Sequence, residues 1–516
     1  MIEKFLNNRL FIVFIIPFTL GAIGVLSFSP FNITLINFFI IPGLFLLVSF
    51  VNKKSKSIYR RRPYLRNLFF IGYSFGIGFF LSNTYWISYS LTFDENLRSI
   101  IPFSIILIPL TLGLFFGFAS LVFGPFIKNN YSSFFLFCLI FSLTDYLRGI
   151  ILSGFPWNLW SYSWSWALEI IQILNPIGLY AFNSISIAFF CSPVILFYEN
   201  KSKYLVFSSF LLIFFSFYIY GSYKINNDQR SILKAKETVN VKIISPNFNM
   251  RYLQSDNEIK KAIEKVVRYS DPDPNKKTIF IWPEGTFAGI YFEDLKKFSN
   301  IFNNNFSKNH LIILGINTQY NNEKFYNTLI VINNNLDVIY KYNKIKLVPF
   351  GEFLPFDEIF EKFGLKKITQ GYGSFSAGSK QDNFKYKNFN FLPLICYEII
   401  FPKLVQQSDK KNNLIINISE DAWFGNSIGP SQHFTKAIFR SIENNTYLVR
   451  SANKGFSAFI NNNGKVLKTL SPNETGNIEL DVPLLEDYPK NRNDLIFFLL
   501  LITYTIIFIT LRKLNK

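Results

Sequence analysis

Long, nearly unbroken apolar runs fill residues 1–221 and recur once in 491–516, whereas residues 222–490 alternate apolar and polar positions on a much shorter scale. A helix needs about 20 apolar residues to cross the hydrocarbon core of a bilayer. Runs of that kind stand near 9–28, 34–51, 68–90, 101–126, 132–150, 177–198, 203–221 and 495–511. The pattern predicts eight spans: a transmembrane bundle of about seven helices over 1–221, a globular domain over 222–490, and a last helix with its tail over 491–516. The first run is long and others follow it directly, which marks a retained span rather than a cleaved signal peptide.

Loop charge sets the orientation, because basic residues in short loops stay on the cytoplasmic side. The loop after the second run carries Lys53, Lys54, Lys56, Arg60, Arg61, Arg62 and Arg66 and no acid. With that loop inside, alternation places Lys128, Lys201, Lys203, Arg512, Lys513 and Lys516 inside as well, together with both termini. Asp94, Glu95, the aromatic loop Phe155–Trp166 and all of 222–490 then lie outside. In the fifth run Asp145 and Arg148 are three residues apart, so they share a helix face on which pairing offsets part of the cost of burying charge. A structural clasp and a lipid headgroup site are both open to such a pair. Trp157, Trp160, Trp164 and Trp166 read as interfacial belt residues or as a lipid entry gate.

Within 222–490, short β-rich runs predict strands at Val239–Ile244, Thr278–Trp282, Leu311–Ile316, Thr328–Ile332, Phe391–Cys396, Leu414–Ile418 and Phe456–Ile460. Helical spacing marks Glu258–Tyr269 and Ser431–Glu443, the latter with Phe434, Ile438 and Ile442 on one face. The result is an α/β domain of sheets covered by helices. Periodicity leaves open whether the sheet is doubly wound or a two-sheet sandwich.

Composition sharpens this picture in two places. The apolar fraction of 49%, with 62 Phe in 516 residues, exceeds what a soluble domain needs. The net charge of +19 is not gathered into a basic patch interleaved with aromatics, so anionic phospholipid is a better counterpart than nucleic acid. Of three cysteines, Cys138 and Cys191 lie in apolar runs, which argues against a disulfide framework and leaves Cys396 as the one thiol of the globular part.

Three strand-end motifs carry candidate chemistry: Trp282-Pro283-Glu284, Tyr342-Asn343-Lys344 running into Leu347-Val348-Pro349-Phe350-Gly351-Glu352, and Ile395-Cys396-Tyr397-Glu398. Reactive groups in α/β folds gather where strands end. A thiol with an ordinary pKa near 8.5 needs a base to become a nucleophile. The chain has only two histidines, His310 at the start of a predicted strand and His433 at the start of a helix, so a Cys-His dyad and a catalytic zinc site are both poorly supplied. A carboxylate base suits the residues better: Glu284 takes the thiol proton while a lysine ammonium holds the thiolate and the oxyanion. Singly, Glu284 could be a helix N-terminal acid, Lys344 a surface charge and Cys396 a buried small residue.

Taken together and in this order, the motifs resemble the nitrilase superfamily, and with the apolar runs they resemble the apolipoprotein N-acyltransferase family over nearly the whole chain. The segments that carry the likeness are Gly154-Phe155-Pro156-Trp157, the three strand-end motifs with Phe353-Leu354-Pro355, and Asp421-Ala422-Trp423-Phe424-Gly425 through Ser427-Ile428-Gly429-Pro430 to Gln432-His433. The resemblance implies a multi-pass helical bundle with an extracytoplasmic α/β domain of the nitrilase type, an αββα sandwich. It implies Glu284 as general base, Lys344 as oxyanion-stabilising lysine and Cys396 as nucleophile, supported by Glu352, Tyr397 and Glu398. It further implies an inner-membrane enzyme, needing no cofactor or metal, that moves a fatty acyl chain from a phospholipid to the amine of a diacylglyceryl-modified apolipoprotein through a thioester. Nothing in the sequence asks for more than a monomer. Trp423 and Phe424 either line the acyl path or pack in the core. Two departures stand out: Glu420 where the family has Asn, and no Trp in Ser245–Gln254.

A membrane-tethered amidase would use the same three residues with water as acceptor, but the aromatic loop and the many spans favour an acyl acceptor. A transporter would need charged or broken helices repeated in two halves, and only Asp145 and Arg148 are of that kind.

Overall fold

A computed structural model describes residues 8–58, 63–232, 237–250, 255–321, 324–355, 374–380, 382–386, 389–406, 412–485 and 493–514. Arg60, Arg61 and Arg62 of the basic loop, residues 251–254 of the arm that lacks Trp, and Lys516 lie outside the described residues. The chain forms two compact units, one of residues 1–92, 98–224 and 491–516, the other of 93–97 and 225–490.

In the first unit, seven helices among the described residues are long and apolar enough to cross a membrane: Thr34–Lys53, Tyr64–Phe93, Glu95–Phe126, Tyr131–Ile150, Leu179–Phe197, Lys203–Asn227 and Asp494–Leu514. The first expected span is a shorter apolar helix, Phe11–Ser27, that changes winding from π to α to 3-10 along its length. The helices Tyr64–Phe93 and Glu95–Phe126 meet at glycine: a Cβ on Gly76 would fall 2.7 Å from the Cα of Gly113. Such backbone proximity replaces the hydrophobic drive that lipid cannot supply.

The Asp145–Arg148 pair forms as the spacing predicted, with Arg148 Nη2 2.9 Å from Asp145 Oδ1 and both side chains 1% exposed. Asn183 Nδ2 donates to the other carboxylate oxygen at 2.9 Å. Arg148 in turn donates to the carbonyls of Phe155 at 2.6 Å and Asn158 at 3.4 Å, and Asn183 Oδ1 accepts from Ser161 N at 3.0 Å. The pair is therefore a clasp that satisfies backbone carbonyls of the aromatic loop where it is buried among the helices. Consistent with this, Trp157, Trp160 and Trp164 are buried, so the loop is not an interfacial belt; Trp166, 57% exposed, is the exception. Phe28, Phe79 and Trp86 close around Trp157 and Trp160 at ring distances of 4.8 to 6.2 Å.

The second unit resolves the ambiguity that periodicity left: it holds two six-stranded sheets. Its strands are β1 (Thr238–Ser245), β2 (Thr278–Ile281), β3 (His310–Tyr320), β4 (Lys324–Ile332), β5 (Val338–Asn343), β6 (Phe384–Tyr386), β7 (Phe389–Ile395), β8 (Leu414–Glu420), β9 (Leu448–Asn453), β10 (Ser457–Ile460), β11 (Val466–Leu470) and β12 (Gly476–Pro483). The orders are β12-β1-β2-β3-β4-β5 and β11-β10-β9-β8-β7-β6. Each sheet has a parallel trio at its centre, β1-β2-β3 or β7-β8-β9, flanked by antiparallel strands.

Between the sheets lies one apolar core, in which Val241, Ile281 and Val331 face Phe391, Ile416 and Val449. The outer face of the first sheet buries Ile259, Ile263, Val266 and Val267 of the helix Asp256–Ser270. That helix starts at a capping box in which Ser255 and Glu258 exchange hydrogen bonds, and it ends at Asp271 in the left-handed region, φ 42°. On the second sheet the helix Gly429–Glu443 has buried residues on nearly every turn, including His433, Lys436 and Arg440. Strands over Val338–Asn343, Phe384–Tyr386, Leu448–Asn453, Val466–Leu470 and Gly476–Pro483 are absent from the periodicity reading; Val338–Asn343, Phe384–Tyr386 and Val466–Leu470 have mostly exposed residues and Gly476–Pro483 mostly half-buried ones, so the apolar alternation that marks a half-buried strand is weak there.

Candidate active site

Glu284, Lys344 and Cys396 follow the ends of β2, β5 and β7, and the two sheets bring these ends together. Glu284 Oε1 accepts from Asn327 Nδ2 at 2.7 Å and lies 3.4 Å from Lys344 Nζ; Oε2 accepts from the backbone N–H of Glu420 at 3.0 Å. The same Asn327 amide donates to Glu352 Oε1 at 2.8 Å, and Lys344 Nζ lies 2.9 Å from that oxygen. Glu352 Oε2 accepts from Val348 N at 2.9 Å, which ties the Pro349–Gly351 turn to the charged cluster. Burial works against the Lys344 charge, but the Glu284 and Glu352 carboxylates outweigh it and hold the ammonium above its ordinary pKa.

Cys396 is 7% exposed and sits on a tight elbow with φ 47°, a conformation that few non-glycine residues adopt. Burial, reinforced by the Glu284 carboxylate, pushes its thiol well up, with Lys344 opposing.

Glu398 has a different environment. Its Oε1 accepts from Tyr342 Oη at 2.9 Å, Ile345 N at 2.7 Å and Lys346 N at 3.1 Å, and its Oε2 accepts from Ile395 N at 2.8 Å. With four donors it fastens the Lys344 loop to the Cys396 elbow. Burial raises its carboxyl to about 7 despite those donors. Tyr397 packs its ring edge-on to Phe401 at 5.1 Å, and burial keeps its hydroxyl protonated.

Glu420, one of the two departures from the family pattern, lies at the base. Its Oε1 accepts from Ala422 N at 3.0 Å, and Asn453 Nδ2 reaches both carboxylate oxygens at 3.1 and 2.9 Å. Burial raises its carboxyl well above the usual range against those donors. Gly285, φ 76°, makes room for it, since a Cβ there would stand 2.1 Å from Glu420 Oε2. Asn453 also brackets Phe248, accepting from its N–H at 2.8 Å and donating to its C=O at 3.0 Å, so the two departures meet through one amide.

The histidines separate cleanly. His310 starts β3 opposite Thr278, at the end of the parallel strands away from Glu284, and both ring nitrogens bond backbone of Ser307 and Asp273. His433 lies beneath the elbow, with Nε2 3.3 Å from the Cys396 carbonyl oxygen. Phe424 is buried edge-on against His433 at 5.2 Å, a core role, while Trp423 is half-buried. The motif search missed Asn327, Asn453 and Arg450. For Asn327 the available signal was a polar residue beside the apolar run Thr328–Ile332; Arg450 and Asn453 lie in a strand whose sequence is half polar and gave none.

Comparison with known proteins fits this geometry. Residues 258–490 match the carbon-nitrogen hydrolase family, and residues 20–192 match the apolipoprotein N-acyltransferase N-terminal domain. Saccharomyces cerevisiae Nit3, a nitrilase-superfamily structure, covers 48% of this chain and 90% of its own at 20% identity and a TM-score of 0.35. By the family match over 258–490, the second unit carries a domain of the carbon-nitrogen hydrolase class, and the same chain carries long apolar helices. Curated apolipoprotein N-acyltransferases from Rickettsia typhi and Rickettsia bellii are 30% and 31% identical, covering 91% and 84% of this chain and 92% and 88% of their own lengths. The one from Allorhizobium ampelinum is 27% identical over 88% of this chain and 87% of its own. The chain belongs to the apolipoprotein N-acyltransferase family and is a membrane-bound acyltransferase.

Proposed function

We propose that the protein transfers a fatty acyl chain from a membrane phospholipid to the N-terminal amine of a diacylglyceryl-cysteine apolipoprotein, using Glu284, Lys344 and Cys396 in a two-step thioester mechanism. The observation that carries the assignment is that Lys344 lies between Glu284 and Glu352 at the strand ends that also present Cys396.

In the first step Glu284 takes the thiol proton as Cys396 Sγ attacks the ester carbonyl, and Lys344 stabilises the oxyanion. Collapse breaks the ester C–O bond, and the proton passes from Glu284 to the departing lysophospholipid hydroxyl. In the second step the neutral amine attacks the thioester, Glu284 accepts its proton, and the amide forms as the C–S bond breaks. The proton then returns to the sulfur. Because both substrates are lipid-anchored, confinement to the membrane raises their effective concentration.

The basic loops support an inner-membrane topology of eight spans, counting Phe11–Ser27, with the domain on the periplasmic side and both termini cytoplasmic.

Intact-mass analysis of the full-length protein incubated with phospholipid vesicles tests the chemistry. A hydroxylamine-labile gain of one acyl group is expected on the native chain and not on Cys396→Ser. A folded native chain that gains no acyl group, yet hydrolyses small amides, overturns the acyl-transfer reading in favour of an amidase.

A further inference from the structure

We propose that His433 is a positioning residue for the nucleophile: its Nε2–H donates to the Cys396 carbonyl and holds the elbow in the left-handed conformation that presents the thiol. The proposal deepens the mechanism above and rests on Cys396 as nucleophile. The sequence singled out Gln432-His433 as part of the family likeness, yet the three-residue mechanism gives the pair no task.

The ring is 0% exposed and stands 3.3 Å from the Cys396 carbonyl through Nε2. Arg450 Nη2 is 3.0 Å from Nδ1. The Cys396 carbonyl oxygen can only accept, so its contact with Nε2 puts the ring proton on that nitrogen and leaves a lone pair on Nδ1 facing the Arg450 guanidinium. A charged ring would set two donors and two cations against each other. Asp421 lies 3.1 Å from Nδ1, but its oxygens are taken by Arg450 Nη2 at 2.9 and 2.8 Å and by Ser419 Oγ at 2.7 Å. Arg450 is fixed in turn by Asn417 Oδ1 and by the Phe456 carbonyl at 3.2 Å. Lys436, on the same helix, adds a further positive charge that disfavours protonation. The network thus runs from β8 and β9 through one imidazole to the left-handed residue that carries the thiol.

Two probes on the full-length protein test this: iodoacetamide, which needs no acyl donor, with Cys396 located by peptide mass, and dioleoylphosphatidylethanolamine vesicles, with the adduct read by intact mass. His433→Gln keeps a donor and His433→Leu removes it. The Gln variant is expected to react within about threefold of the native rate, and the Leu variant to lose about thirtyfold or more because the thiol is misplaced, both with the native pH midpoint. A folded Leu variant reacting at the native rate, a Gln variant as slow as Leu, or loss of the pH midpoint in both overturns the proposal. Should the Leu variant not fold, nitrogen NMR of histidine-labelled native protein decides, since only 2 histidines report. A proton on Nε2 of His433 with a bare Nδ1 at neutral pH supports the proposal; the other tautomer or an imidazolium overturns it. If the iodoacetamide trend holds while the native chain takes no acyl group, the acyl-transfer mechanism falls and the positioning role stands.

Discussion

Lys344 Nζ lies 2.9 Å from Glu352 Oε1 and 3.4 Å from Glu284 Oε1, so the ammonium leans towards the carboxylate that the mechanism does not use as a base. That asymmetry leaves Glu284 less tightly paired to the ammonium than Glu352 is. Glu352→Gln removes the nearer charge, and Lys344 is then expected to draw in on Glu284. Acyl-enzyme formation should slow by about 10- to 100-fold, on the scale of a lost catalytic positioning contact, with KM for phospholipid little changed. Single-turnover rates against lipid concentration measure both; an unchanged rate would show that Glu352 only supports the loop.

Glu420 gives a prediction in the opposite direction. Its carboxyl is buried, pushed upward, and accepts hydrogen bonds from Ala422 and Asn453 that both reach Oε1, where a single amide oxygen can also accept them. Glu420→Gln is therefore expected to keep activity within about threefold, because an isosteric exchange leaves the buried donors satisfied. Glu420→Ala should lose far more. A Gln variant as inactive as Ala would mean that the acid itself takes part.

Stability should depend on pH through His433. Burial, aided by Arg450, lowers its pKa to about 4 from 6.5, so below pH 6.5 the unfolded chain binds a proton that the folded chain refuses. The stabilising contribution is full above pH 6.5 and is lost as pH falls through 4, amounting to about 3 kcal/mol at most. Thermal melts of the native chain and His433→Gln between these limits check the sign. The gap between them should narrow, or turn in favour of Gln, as the solution is acidified.

In the bundle, Asp145 and Arg148 should show the behaviour of a buried pair whose partners are costly to leave alone. Either Asp145→Asn or Arg148→Met is expected to destabilise by about 3–5 kcal/mol, and the double variant by less than the sum. Melting in detergent followed by tryptophan fluorescence is the readout, since the clasp holds the loop with Trp157 and Trp160. Additive losses would show that the two residues act separately.

Much of this arrangement was legible before any coordinates. The long runs marked the membrane helices, because lipid demands an unbroken apolar length that no soluble helix needs. Glu284 and Cys396 stood out because each follows or ends a β-rich run, and Lys344 because it closes the Tyr342-Asn343-Lys344 motif. Other features were hidden for physical reasons. The aromatic loop read as interfacial belt residues or a lipid entry gate because Trp is common at interfaces, and only its hydrogen bonds with Arg148 and Asn183 show how it can be buried among the helices.

What the sequence by itself determined was local: where apolar length, strand-end motifs and helix caps fall, since these depend on neighbours a few positions apart. Pairing between distant strands decided the rest. It chose two facing sheets over a doubly wound one, and it carried Asn327 from mid-β4 to both glutamates and Arg450 from β9 to His433. A mid-strand polar residue gains its role only from the group that register places opposite it, and register is set by a core assembled from across the whole domain.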